Sequence, residues 1–207
     1  MNGGNAMRPD YLVPITDCED FTRAPLARIA DYRWETGYEP EAFAQLIYIS
    51  GVGFCVRLEA KETDPKRDCT FYNQPVYKDS CLEFFVNFDP SQPKYMNFEM
   101  NPNGAFLAAL RTDRKNKTPI HELTHDLPAV RAEIGKDSWS VTALFTDRFI
   151  SELWGKNGFR PGDTFTGNFY KCGDETPHPH YGMWSPVELE KPDFHQPAFF
   201  GSFRLEG

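Results

Sequence analysis

The stretch PIHELTHDLP, residues 119–128, contains HELTH at 121–125, a match to the H-E-x-x-H pattern of zinc hydrolases. On an α-helix, positions i and i+4 share a face, so His121 and His125 would reach one metal and Glu122 would activate its water. The setting opposes this. Pro119 and Pro128 bracket the motif and leave barely two turns of possible helix. Thr124 and Asp126 are weak helix formers. The extended metzincin pattern needs Gly and His where the chain has Pro128 and Arg131, and only the distant Glu152 offers itself as a third ligand. HELTH is therefore read as a polar loop between strands and a chance match, and the chain as no zinc enzyme. His178 and His180, held apart by Pro179 in HPHY, are read as loop residues as well.

A second set of residues suits different chemistry. Tyr72 and Tyr77 lie in one long loop, KETDPKRDCTFYNQPVYKDS (61–80). Tyr181 and Trp184 lie in another, CGDETPHPHYGMWSPVELEKPDFHQP (172–197). Loops of this length inside a compact domain usually serve a function. Their aromatic content argues against disorder. Between them, the polar sides of two strand-like runs offer Glu83, Asn87, Asn97, Glu99 and Asn101. Exposed rings stack on the C–H faces of a pyranose, and neighbouring donors and acceptors meet its hydroxyls, so this pairing points to sugar binding. The blander expectation is that Trp and Tyr cap the ends of a core and the polar face is only solvated.

The elements that must position these residues are strands. Of the 207 residues, 15% are aromatic, and 17 Pro and 15 Gly punctuate the chain. FCVRLEA, LEFFVNF, YMNFEMN and WSVTALF alternate with period two, as half-buried strands do. FAQLIYIS (43–50), AFLAALR (105–111), AVRAEIG (129–135), TFTGNFYK (164–171) and AFFGSFRL (198–205) are further strand candidates. NPNGA carries an Asn-Gly hairpin signal. Only TDRFISELWG (146–155) reads as a helix, with Phe149, Ile150, Leu153 and Trp154 on one side and Gly155 after its end. Many short-spaced strands without alternating helices predict an all-β, two-sheet antiparallel sandwich. It is expected to span 16–207 as one domain behind an N-terminal arm, 1–15.

Composition narrows the partners. The net charge of −8 and the lack of a basic stripe argue against nucleic acid. No apolar run approaches the ~20 residues of a membrane helix. The start, MNGGNAMRPDYLVP, lacks the basic and apolar parts of a signal peptide. The five cysteines (18, 55, 69, 81 and 172) are odd in number and form no C-x-x-C. Both point to reduced thiols and a cytoplasmic location; an extracellular one follows if a leader has been removed. Cys55 and Cys81, inside strand-like runs, are read as sheet residues.

The segments VYKDSCLEFFVNF, YMNFEMNPNG and GNFYKCGDET…WSPV…PDFHQPAFFGSFRL resemble carbohydrate-binding module family 9, in its family-9-like branch, from about residue 15 to the C-terminus. The resemblance implies a jelly-roll-like sandwich that binds a mono- or oligosaccharide without catalysis, clamped between two aromatic rings. The position two before the Asp79-x-x-x-Glu83 pattern is Tyr77, where sugar-clamping members carry Trp. Trp184 matches the second ring. Glu83 and Asn101 are the implied hydroxyl partners, Asn168 and Lys171 further polar candidates, and Arg111 the candidate basic residue. Some members carry structural calcium, for which Asp79, Asp89 and Glu99 are the candidate donors, although no EF-hand-like spacing is present. Two rival functions stand beside this: a retaining glycosidase using Glu83 and Glu99 as a carboxylate pair, and a protein-interaction module whose aromatic loops dock on another chain.

Overall fold

The computed structural model describes residues 8–34 and 36–207. In chain order its strands begin with β1 Asp10–Val13, β2 Ile15–Thr16, β3 Ala27–Ile29, β4 Ala42–Ile49 and β5 Gly53–Ala60. Then follow β6 Cys81–Asn87, β7 Tyr95–Met100, β8 Phe106–Arg111, β9 Lys117–Pro119, β10 Ala129–Ile134 and β11 Trp139–Thr146. The chain closes with α1 Asp147–Trp154 and strands β12 Thr164–Cys172, β13 Tyr181–Met183 and β14 Gly201–Leu205.

The strands form two sheets. The larger is eight-stranded in the order β1-β14-β12-β6-β7-β8-β9, with β13 paired to β12. The smaller is six-stranded in the order β10-β11-β5-β4-β2, with β3 paired to β4. The sandwich is antiparallel apart from two edge pairs, β1–β14 and β2–β4, which are parallel. Asp10–Val13 therefore belongs to the larger sheet rather than to the expected arm; the rest of that arm up to residue 7 lies outside the described residues.

Period-two alternation explains the packing. Phe54, Val56 and Leu58 of β5 and Val141, Ala143 and Phe145 of β11 point inward from the smaller sheet. Leu82, Phe84 and Val86 of β6, with Met96, Phe98 and Met100 of β7, meet them from the larger one. All of these are buried. Each large side chain so buried contributes about 1.5–3 kcal/mol. The helix closes one end of the core as its spacing predicts. The Thr146 hydroxyl accepts from Phe149 N at 2.9 Å, and Gly155 ends the helix with φ +71°, the left-handed conformation that glycine favours. No helix among the described residues is long and apolar enough to cross a membrane.

HELTH is not an α-helix. Its first residues make a single 3-10 turn, Ile120–Glu122, behind the short edge strand β9. His121 packs edge-on against Tyr72, and the Thr124 hydroxyl donates to the Glu152 carboxylate. The shared helical face that the zinc motif requires is absent.

Candidate functional site

The outer face of the larger sheet is polar by sequence yet largely buried. Successive outward residues are Glu83 and Phe85 on β6, Asn97 and Glu99 on β7, Leu107 and Arg111 on β8, and Tyr170 and Cys172 on β12. After β13 adds a strand beside β12, residues 187–200 fold back over this face. Phe194 anchors them, stacking on Tyr170 at 4.0 Å and 12° and leaning on Trp34 at 5.8 Å. The Tyr170 hydroxyl donates to Phe194 O at 3.2 Å, and Trp34 Nε1 donates to Leu189 O at 2.8 Å. Asp193 accepts from the His195 and Gln196 nitrogens and pairs with Arg114 at 3.3 Å. The long loop is thus a pinned wall.

Between wall and sheet lies a cleft of about 360 Å³. Its floor carries Glu83, Phe85, Glu99, Leu107, Arg111 and Cys172, and Tyr77, Tyr181 and Phe194 supply rings around it. Asp174, Arg114, Lys117 and His195 complete the rim. Arg111 Nε donates to Asn97 Oδ1 at 2.5 Å, and Asn97 Nδ2 donates to Glu99 Oε1 at 2.8 Å. The second Glu99 oxygen is buried without a hydrogen bond. Burial pushes the Glu99 carboxyl up to about 7, against the Asn97 hydrogen bond and the Arg111 charge. Glu83 stands directly across from Glu99 on the neighbouring strand. Its carboxyl is held well above the usual range by burial, then by Cys172 and Glu99. Burial and the nearby Arg111 guanidinium push His195 down to about 3, so its ring is neutral.

Tyr77 sits in the 3-10 turn Val76–Lys78, and its position is set from below. Asp79 Oδ2 accepts from Cys69 N and Asn101 Nδ2, each at 2.9 Å, while Oδ1 meets Lys66 at 3.3 Å. In the Asp79-x-x-x-Glu83 pattern, Asp79 therefore ties down the loop and Glu83 enters the cleft.

Of the residues expected to bind a ligand, Tyr77, Glu83 and Arg111 meet in this cleft. Asn101, Asn168, Lys171 and Trp184 do not line it. Asn101 holds the 101–105 turn through Asn103 N and Ala105 N, and ties Asp79 and Cys69 O to it. Asn168 clamps Ser185 at two points, donating to its carbonyl at 2.7 Å and accepting from its N–H at 2.8 Å. Lys171 shares the parity of Phe165 and Phe169 and so points inward. It is 0% exposed, bonded to Ser80 Oγ at 2.9 Å and paired with Glu62 at 3.2 Å. His180 is buried beside it rather than free in a loop. Trp184 packs on Phe203 at 5.2 Å and Phe169 at 5.6 Å, seated on Gly201, where a Cβ would fall 2.5 Å from the indole. Its direction is set by that seat, and Phe194 and Tyr181 provide rings in the cleft instead. The three acidic residues considered for calcium do not converge. Asp79 is engaged as described, Asp89 holds Ser91 and Gln92, and Glu99 lies in the cleft.

The family model described as carbohydrate-binding family 9 matches residues 15–205. The chain belongs to carbohydrate-binding family 9. Solved structures share the fold. A protein of Bacteroides uniformis ATCC 8492, provisionally described as carbohydrate-binding, has a TM-score of 0.81 at 24% identity, covering 97% of this chain and all of that one. A family 9 module from Caldicellulosiruptor kristjanssonii matches with a TM-score of 0.66 in complexes with cellotriose (13% identity, 96% and 94% coverage) and with glucose (15% identity, 96% of both chains). No curated protein sequence gives a significant match. Family 9 membership makes carbohydrate binding the function of the domain.

Proposed function

We propose that the cleft over the outer face of the larger sheet is the saccharide site. One sugar ring sits between Tyr77 and the Phe194–Tyr181 side, over Arg111, Glu83 and Glu99. The observation that carries this reading is the pairing of aromatic rings with a buried polar floor whose protein hydrogen bonds are incomplete: Glu99 Oε2 is buried and has no protein partner. Leaving such an oxygen unmet costs about 1–3 kcal/mol, and a sugar hydroxyl donating to it removes that cost. A volume of about 360 Å³ is at the small end for ligand sites and suits one or two sugar units. Glucose and cellotriose bound to the related module make gluco-configured sugars the first to try.

The same observation weighs against catalysis. A glycosidase pair must flank the scissile bond, with one carboxyl ionised and the other protonated. Glu83 and Glu99 are side by side on one floor, and burial raises both. The domain binds without turning over. A slot with a polar floor also suits a sugar better than the flat apolar face that a docked protein would need.

The test is a titration of intrinsic fluorescence, with Trp34 beside Phe194 and Tyr181 as reporter, against glucose, cellobiose, xylobiose and mannose. A saturable change with one class that is lost in Tyr77→Ala supports the site. A flat response across the panel would remove it, and hydrolysis of an aryl glucoside abolished by Glu83→Gln would restore the enzyme reading.

A further inference from the structure

Cys81 and Cys172 are direct cross-strand partners on β6 and β12, and both project to the outer face. Glu83 follows Cys81 on that same face. The two sulfurs and a Glu83 oxygen all lie within 4.8 Å of one another, and all three residues are buried. Cys172 Sγ is 2.9 Å from Glu83 Oε1. Cys172 and Glu83 also line the cleft, with Cys81 buried behind them. Across from Glu83 stands Glu99, 4% exposed and carrying the unpartnered oxygen.

We infer that Cys81, Cys172 and Glu83 form a binding site for a thiophilic divalent cation of the zinc class, at the base of the cleft. Two sulfurs and one carboxylate oxygen are the donor set that zinc prefers over calcium or magnesium. Three protein ligands leave a fourth tetrahedral position for water, with Glu99 placed to accept a hydrogen bond from it. Tetrahedral zinc holds sulfurs about 3.8 Å apart and sulfur and oxygen about 3.5 Å apart. The Cys172–Glu83 contact would open by about half an ångström as the metal takes the place of the proton now between them. Coordination replaces the thiol and carboxyl protons, which leave to water, and needs no change of oxidation state. The cross-strand geometry makes the two thiols converge without any C-x-x-C in the sequence. Neither cysteine is assigned to the sugar, but Glu83 and Glu99 are shared with the proposed saccharide site, so the metal is titrated without sugar and the sugar without metal.

The test uses the whole chain, kept reduced with a phosphine, stripped with a chelator and titrated with Co²⁺. Expected are thiolate-to-cobalt charge-transfer absorption and tetrahedral visible bands saturating at one ion per chain, reversed by Zn²⁺. Cys81→Ser and Cys172→Ser should each remove the charge-transfer band, and Glu83→Gln should weaken binding on the order of tenfold or more. Cys55→Ser, on the far sheet, should leave the spectrum unchanged. Zn²⁺ should raise the melting temperature of the wild type and not of Cys81→Ser. A wild type with no charge-transfer band would overturn the inference, as would a band that survives in both Cys81→Ser and Cys172→Ser. Sugar binding is read separately in the stripped protein, so loss of one result leaves the other standing.

Discussion

Replacing Glu99 by Gln keeps the shape of a cleft carboxyl and removes its ability to ionise. Glu99 is 4% exposed, accepts from Asn97 through one oxygen and has nothing on the other. Burial raises its folded-state value to about 7 from an unfolded 4.5. A group raised in the folded state contributes its stability fully below the unfolded value and loses it as the pH climbs through the folded one. Between pH 4.5 and 7 the wild type should lose about 3 kcal/mol through this residue, the span of those two values at about 1.4 kcal/mol per unit. Glu99→Gln cannot lose it. The variant should match the wild type at pH 4.5 and exceed it by up to about 3 kcal/mol at pH 8.5, or about 6–12 °C in melting temperature for a chain of this size. Urea unfolding of both proteins at intervals from pH 4.5 to 8.5, in chelator, reads the difference. A gap that is constant with pH, or a variant less stable at pH 8.5, would refute the account of a buried, half-satisfied carboxyl.

Histidine titration should run with the opposite sign. Burial, then the Lys171 charge, pushes His180 down to about 4, so its stabilising contribution is present above about pH 6.5 and is lost as the pH falls toward 4; ring-nitrogen NMR should place its midpoint there, and a midpoint near 6.5 would contradict its buried setting. Lys171→Met should destabilise the fold by about 3–5 kcal/mol by stranding Glu62, read by thermal or urea unfolding, whereas a solvated site lysine would cost almost nothing. Trp184→Ala should cost about 3 kcal/mol of stability in the same assay while saccharide affinity survives, because the half-buried indole packs against the core rather than lining the cleft.

The strands with strict alternation were readable because inward residues must match one core. In LEFFVNF, the positions of Leu82, Phe84 and Val86 fix where Glu83 points, and its pairing with YMNFEMN brings Glu99 beside it. The helix was equally plain from Thr146, Gly155 and the spacing between them. Lys171 also carried its signal, since it falls in step with Phe165 and Phe169. Its family-like setting in GNFYKC pulled it toward the site against that parity. Trp184 and Phe194 could not be sorted by pattern. In a long loop no period ties a ring to a face; the seat on Gly201 and the stack on Tyr170 decide, and both depend on contacts distant in sequence. The short strands β1, β2, β3, β9 and β13 are illegible for a similar reason: two to four residues carry too little alternation to read. Cys172 meets Cys81 only through the register of β12 on β6, which neither cysteine announces.

The central claim is that a saccharide binds between Tyr77 and the pinned loop. Calorimetric titration of wild type, Tyr77→Ala and Trp184→Phe with glucose and short cello-oligosaccharides tests it most directly. The account predicts one ligand per chain for wild type and for Trp184→Phe, and an affinity at least about tenfold weaker for Tyr77→Ala, the loss expected for about 1.4 kcal/mol of ring stacking. A wild type silent to every sugar, or binding that survives Tyr77→Ala and is lost in Trp184→Phe, would contradict it.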